Sequence, residues 1–323
     1  MRPAAARALL KRARGCKVLV VGDLMIDEWI WGSVTRISPE APVPVVAVNA
    51  HSFTLGGAGN VASNLRALEA KVWIAGTVGD DAFADQTRGL LRKNDVDGRG
   101  IFGLSNRPTT RKTRVVAHNQ QVVRADWESV ANPPLADRER VAAFVRQRAP
   151  KCDAVIFSDY GKGLLSREIV EAAFGCRLVL ADPKPRNIDL FAGVTCIAPN
   201  AAEASAVTGI ALDDEAALEA AGNRLFERLG CRYVVITQGE SGMALFAKKG
   251  RQLQVPSVAR TVYDVSGAGD TVIATLAIGL AAGAQIEQAV QLANFAAGAV
   301  VEKLGTATAT ADEILALIDH AHV

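Results

Sequence analysis

Asp264-Val265-Ser266-Gly267-Ala268-Gly269-Asp270 runs without a break into Thr271-Val272-Ile273-Ala274-Thr275-Leu276, an apolar stretch of helical character. Three small residues at a helix mouth leave the backbone N–H groups of Gly267, Ala268 and Gly269 uncovered. Unpaired amides and the positive end of the helix dipole make an anion site. A carboxylate inside an anion site is a conflict, because Asp270 repels the phosphate that the amides attract. The conflict resolves if Asp270 takes a proton from a hydroxyl while the amides hold the phosphoryl group which that hydroxyl attacks. Taken alone, Gly-Ala-Gly is also an ordinary glycine turn capping a helix. The functional reading needs partners elsewhere in the chain.

Upstream, Val18-Leu19-Val20-Val21, Ala154-Val155-Ile156-Phe157, Leu178-Val179-Leu180 and Tyr233-Val234-Val235-Ile236 are continuous apolar runs, as expected of parallel strands covered on both faces. Helical patterns lie between them at about 60–68, 135–148, 167–174, 201–208 and 214–229, and helices fill 268–320. The alternation predicts an α/β fold, a doubly wound and mostly parallel sheet flanked by helices. Ligands of such sheets bind at the carboxyl ends of strands. Here those ends turn polar, at Gly22-Asp23, Ser158-Asp159, Asp182-Pro183-Lys184, Asn200 and Thr237. Segments at about 26–48 and 101–126 are strand-like with polar alternation and have no helix between strands. They predict a small antiparallel sheet, a lid over the site. A lid with one face exposed pairs readily with its twin, so a homodimer through the lid is expected. Residues 1–323 read as a single domain without repeats or linkers.

A chain of 323 residues has ample mass for a large buried core. Half of the residues are hydrophobic and 22% are charged, which describes a soluble globular protein. The net charge of +2 gives no reason to expect a nucleic-acid partner. The longest apolar run, Thr271 to Ala284, is too short to span a bilayer, so no membrane partner is expected. Cys16, Cys152, Cys176, Cys196 and Cys231 are widely spaced, with no Cys-x-x-Cys; they read as reduced thiols of a cytoplasmic protein. His51, His118, His320 and His322 share no metal-ligand spacing. The first fourteen residues are rich in Arg and Ala, yet they lack Ser, and Leu9, Leu10 and Ala13 fit one face of a short helix. A helix is expected there rather than a transit peptide.

Leu55-Gly56-Gly57-Ala58-Gly59-Asn60 opens the helix at about 60–68. Glycines let a polyol approach the backbone, and the Asn60 amide can donate to and accept from sugar hydroxyls. Gly57-x-Gly59-x-x-Ala62, with Asp80 downstream, also fits a dinucleotide fingerprint. That fingerprint should follow the first strand directly, whereas the first strand here ends Gly22-Asp23-Leu24, so a dehydrogenase is disfavoured. No Gly-x-x-x-x-Gly-Lys-[Ser/Thr] occurs. Asn200-Ala201-Ala202-Glu203 follows a strand and starts a helix; Glu203 either caps that helix or reaches Mg²⁺ directly or through water. Thr237-Gln238-Gly239-Glu240-Ser241-Gly242 is a turn after a strand, a hairpin by itself and a place where backbone groups can meet a nucleotide.

Together, in order and spacing, the Gly-Gly-x-x-Asn, Asn-x-x-Glu and Asp-x-x-Gly-Ala-Gly-Asp elements resemble the ribokinase-like carbohydrate kinases across essentially the whole chain. The resemblance implies ATP and Mg²⁺, with Asp270 as base and Gly267, Ala268 and Gly269 as the anion hole. It puts Asn200 and Glu203 near the metal, the nucleotide on Thr237, Gly239, Gly242, Gly267, Gly269 and Asn294, and the sugar on Asp23, Gly56, Gly57 and Asn60. Gly22-Asp23-Leu24-Met25-Ile26-Asp27, Trp31-Gly32, Arg36-Ile37-Ser38-Pro39-Glu40-Ala41-Pro42-Val43-Pro44-Val45-Val46, Ser158-Asp159-Tyr160-Gly161-Lys162-Gly163 and Asp182-Pro183-Lys184 are similar to the branch of that family acting on the anomeric hydroxyl of D-glycero-β-D-manno-heptose 7-phosphate, for ADP-heptose and lipopolysaccharide. That likeness adds Asp27, Asp159, Lys162 and Lys184 to the substrate side. Relatives in this branch often carry a nucleotidyltransferase domain as well; no His-x-Gly-His occurs here, so only the kinase activity is expected. A phosphorylated sugar needs cations, for which Arg107, Arg111, Lys112, Arg114, Lys162, Lys184 and Arg186 are candidates.

Overall fold

The computed structural model describes residues 1–321 apart from 119, 249, 260 and 304; Asn119 of the second lid segment and His322 therefore lie outside the described residues. Helix α1 (Pro3–Ala13) buries Leu9, Leu10 and Ala13 and feeds β1 (Lys17–Gly22). A long hairpin, β2 (Leu24–Ile37) and β3 (Pro44–Gly57), leaves the end of β1 and returns into α2 (Ala58–Ala67). Then come β4 (Lys71–Gly79), α3 (Ala82–Lys93) and β5 (Asp97–Leu104). A second hairpin follows, β6 (Thr110–Ala117) and β7 (Gln120–Trp127). The chain continues through α4 (Leu135–Arg148), β8 (Ala154–Ser158), α5 (Arg167–Glu171), β9 (Val179–Asp182), β10 (Cys196–Ile197), α6 (Ala201–Thr208) and α7 (Glu215–Leu229). It ends with β11 (Tyr233–Thr237), β12 (Met243–Ala247), β13 (Gly250–Val255), α8 (Ala268–Ala281), α9 (Ile286–Val301) and α10 (Ala311–His320).

Nine strands form the main sheet in the order β13-β12-β11-β10-β9-β8-β1-β4-β5, parallel from β11 to β5 and antiparallel at β12 and β13. Successive side chains of a strand point to opposite faces. In β1, Val18 and Val20 join the core under α2 and α8, while Leu19 and Val21 join the core under α4 and α5. This is why the predicted strands read as unbroken apolar runs. The doubly wound sheet is as expected. Strands β4 and β13 were not legible, since Gly76 and Thr77 dilute β4 and β13 exposes one face, while the strand expected before Asn200 is the two-residue β10.

The lid is a separate four-stranded sheet, β3-β2-β6-β7. Two expectations about it need correction. Its central pair, β2 with β6, is parallel. Each is the outbound strand of a hairpin leaving the same end of the main sheet, so the two run the same way. Residues 101–104, assigned to the lid from sequence, belong to β5, which pairs with β4 in the main sheet.

Candidate active site

Asp270 stands in the first turn of α8 and is 2% exposed. Its Oδ2 accepts a hydrogen bond from Asn60 Nδ2 at 2.8 Å, and its Oδ1 accepts one from the Tyr160 hydroxyl at 2.9 Å. Burial dominates this carboxyl and repulsion from Asp27 adds to it; the two donors and Lys184 oppose them, and the pKa settles at about 7. A buried carboxyl tuned near neutrality suits a general base. Gly267 caps the helix at φ 80°, and a Cβ there would lie 2.5 Å from Asn60 Nδ2. Only glycine lets α2 bring Asn60 to Asp270. The Gly267 and Gly269 amides meet no acceptor among the described residues, whereas the Ala268 amide donates to the Val265 carbonyl at 3.2 Å. Two of the three helix-mouth amides are therefore unpaired.

The carboxylate of Asp23, after β1, accepts from the Tyr160 and Lys162 amides at 2.9 and 3.0 Å. Burial raises its pKa despite those amides, and Asp159 adds repulsion. Asp27 on β2 is buried and ion-pairs with Arg114 at 2.5 Å. At Gly56 a Cβ would lie 2.6 Å from Asp27 Oδ2, so the returning lid strand crosses this carboxylate only as glycine. Gly57 is the N-cap of α2. Asn60 was expected on the sugar; it is 1% exposed and its Nδ2 is committed to Asp270. Asp159 was expected on the substrate as well. Its carboxylate instead accepts from the amides of Gly161 and Lys184 and, through both oxygens, from Asn187 Nδ2. It shapes two loops and has no lone pair left over.

Every expected cation with a described partner is already engaged. Lys162 pairs with Glu128 at 2.6 Å, Lys112 with Asp126 at 3.3 Å, and Arg107 donates to the carbonyls of Ser129, Ala131 and Lys162. Arg186 donates to the Gly161 carbonyl. Arg111 and Arg114 face opposite sides of the lid. Arg114 shares the face of Asp27, while Arg111 lies between Phe83 and Trp127 at 4.0 and 3.8 Å, beside Glu28. Lys184 pairs with Glu203 and stands 5.4 Å over the Tyr160 ring. This sets it beside the Asn-x-x-Glu element.

Thr237, Gly239, Gly242, Ala268, Gly269 and Asn294 line a cavity of about 200 Å³ whose remaining wall is mostly apolar, with Met243, Val262, Val265 and Val272. Asn294 Nδ2 donates to the Pro256 carbonyl at 2.8 Å and so holds the far wall. Asn200 and Glu203 form a reciprocal cap at the start of α6, each side chain accepting from the other's amide at 2.9 Å. Asn200 is thus a helix cap first. Asp182 ends β9, with Oδ2 3.7 Å from where a Gly269 Cβ would stand. No donor meets its carboxylate among the described residues. Burial and repulsion from Glu203 push its pKa well above the usual range against the pull of Lys184.

The sequence profile of the pfkB family carbohydrate kinases matches residues 16–313. The chain belongs to that family. It is 47% identical over 306 residues to "Bifunctional protein HldE" of Desulfatibacillum aliphaticivorans, covering 93% of this chain and 63% of that protein. It is 44% identical to the protein of the same name from Wolinella succinogenes, covering 94% and 65%. The chain thus spans less than two thirds of the length of these relatives. Its fold is similar to Arabidopsis thaliana ribokinase solved with ribose and ATP, at TM-score 0.74 and 20% identity over 94% of this chain and 99% of that one. Escherichia coli phosphofructokinase-2 with substrates and products gives 0.79 at 17% identity over 96% and 100%.

Two residues of this pfkB chain escaped the sequence reading. Tyr160 and Asp182 both lie in quoted stretches at strand carboxyl ends, which the fold rule singles out. Periodicity does not say which side chain at such an end turns toward the site, and only their contacts do.

Proposed function

We propose that the chain is an ATP-dependent kinase of the anomeric hydroxyl of D-glycero-β-D-manno-heptose 7-phosphate, formed as one kinase domain over residues 1–323. The observation that carries the kinase reading is Asp270, a buried carboxyl with pKa about 7 placed beside two unpaired helix-mouth amides. The heptose reading rests on the motif likeness of the 22–46, 158–163 and 182–184 stretches, and the HldE relatives support it. In this reading the nucleotide base fills the cavity at Thr237, Gly239, Gly242 and Asn294. The sugar lies under the lid between Asp23, Asp27 and Gly56.

Mg²⁺ fits this site. Asp182, whose carboxylate meets no donor among the described residues, lies beside the helix mouth and is repelled by Glu203, whose oxygens meet Lys184 and the Asn200 amide. Among the described residues no group of three His, Cys, Asp or Glu can hold a metal, so the ion would keep waters and phosphate oxygens. When bound it neutralises charge on the transferring phosphates. The chain's own residues do the rest. Asp23 and Asp27 orient the ring, Asp270 takes the anomeric proton as the oxygen bonds to phosphorus, and the Gly267 and Gly269 amides hold the phosphoryl oxygens.

A second copy covers the outer lid in this proposal, since edge strands β3 and β7 expose Val48, Val122 and Val123. The cytoplasm is the proposed compartment, because all five thiols are unpaired. Among the described residues no helix is long and apolar enough to cross a membrane.

The test is ATP consumption over a panel containing heptose 7-phosphate, unphosphorylated heptose, fructose 6-phosphate and ribose. We expect heptose 7-phosphate to give the highest kcat/KM and a 1,7-bisphosphate product. Preference for ribose or fructose 6-phosphate would leave a general sugar kinase, and tight sugar binding without turnover would leave a sugar-binding regulator.

A further inference from the structure

We propose that Tyr160 is a positioning residue for the base, holding Asp270 ionised and in one rotamer while its own backbone fixes Asp23 on the sugar side. The inference rests on Asp270 being the base. The geometry is a single residue tying three parts of the site together. The Tyr160 amide donates to Asp23 Oδ2 at 2.9 Å, and its hydroxyl donates to Asp270 Oδ1 at 2.9 Å. Its ring carries Lys184, whose ammonium stands 5.4 Å from the ring centre and pairs with Glu203. The residue is placed by the loop after β8, which Asp159 pins through the Gly161 amide, so its position does not depend on the bond it makes to Asp270.

The hydroxyl matters because of what else faces Asp270. From α2 comes the neutral donor Asn60; from β2 comes Asp27, which repels; from the end of β9 and the loop beyond come Asp182, which repels, and Lys184, which attracts. Asp27 is itself paired with Arg114, and Lys184 with Glu203. The hydrogen bond from Tyr160 is therefore one of few interactions that favour the charged form of a buried base. Each carboxylate oxygen has two acceptor sites, so one donor on Oδ1 and one on Oδ2 still leave room for the sugar hydroxyl. With both oxygens anchored, the free lone pairs point in fixed directions.

The test is the pH profile of kcat for Tyr160→Phe. Loss of a donor to a charged group should move the acid limb upward by about one pH unit. Turnover would then fall roughly tenfold at pH 6.5 and by less than about threefold at pH 9. The KM for sugar should stay within about twofold, because phenylalanine keeps the amide that holds Asp23. A second measurement uses biosynthetic 3-fluorotyrosine, whose hydroxyl is a stronger donor. It should move the limb downward, and adding Tyr160→Phe should abolish that shift although Tyr233 and Tyr263 remain fluorinated. Limbs unmoved in both proteins overturn the inference, and if the phenylalanine variant does not fold, the fluorinated enzyme alone decides. Asp270→Asn separates the two readings. Full turnover in that variant sinks the base assignment itself, whereas its inactivity with unmoved limbs sinks only the role of Tyr160.

Discussion

At the scale of single residues the site is a contest between burial and hydrogen bonding. Asp270 ionises near pH 7 because desolvation outweighs the two donors that favour its charge. Replacing it with Asn should lower kcat by on the order of 10²–10⁴ while nucleotide binding persists, measured by steady-state kinetics and nucleotide titration. The same change should stabilise the fold in a pH-dependent way. A carboxyl raised in the folded state binds more protons than in the unfolded chain, so its favourable contribution is complete below pH 3.8 and is lost as pH rises through about 7. Asp270→Asn removes that loss. Urea unfolding should find the variant more stable than wild type at pH 8, by up to on the order of 4 kcal/mol, with the difference shrinking toward pH 4. Equal differences at both pH values would contradict the assigned pKa. Gly267→Ala should fail differently, since it drives a methyl against Asn60 at a positive φ. We expect a loss of about 1–3 kcal/mol in stability together with kcat reduced at least about tenfold.

At the scale of elements the lid decides which of its charges can act. Strand alternation sets Asp27 and Arg114 on one face and Glu28, Thr113 and Arg111 on the other. The inner face closes on the main domain, where Thr54 meets Thr306 at 3.0 Å and Trp29 lies over Gly305. Arg114→Ala leaves Asp27 buried and unpaired beside the proposed sugar position, a disruption worth about 3–5 kcal/mol, so the KM for sugar should rise more than about tenfold. Arg111→Ala removes the packing between Phe83 and Trp127 and a 3.4 Å ion pair with Glu28, all on the face away from Asp27. It should lower lid stability, read by proteolysis, with KM nearly unchanged. Equal KM effects from the two variants would contradict the two-faced lid. At the helix starting at Ala201 the sequence left Glu203 open between a cap and a magnesium ligand, and the structure has Asn200 and Glu203 capping each other.

At the scale of the whole molecule, edge strands β3 and β7 leave Val48 60% and Val123 52% exposed. Unpaired edges of this kind are normally blunted or covered. Light scattering on the purified protein should give a dimer mass, and Val48→Glu with Val123→Glu should shift it toward monomer. An unchanged monomer in the wild type would remove the lid from assembly.

The sequence by itself determined the doubly wound sheet, because strands buried on both faces must be apolar throughout and so announce themselves. It also pointed to the carboxyl ends of those strands as the candidate site, because polar residues there have few other reasons to occur, and it singled out Asp270 at a glycine-rich helix mouth. Only the tertiary structure decided which partners those residues take. Asn60 turns to Asp270, Asp159 to its own loops, and Lys184 to Glu203, while Tyr160 and Asp182, quoted from sequence without a role, join the same cluster. The reason is geometric: these contacts join elements up to 210 positions apart, and no local periodicity records the direction in which a side chain leaves a loop.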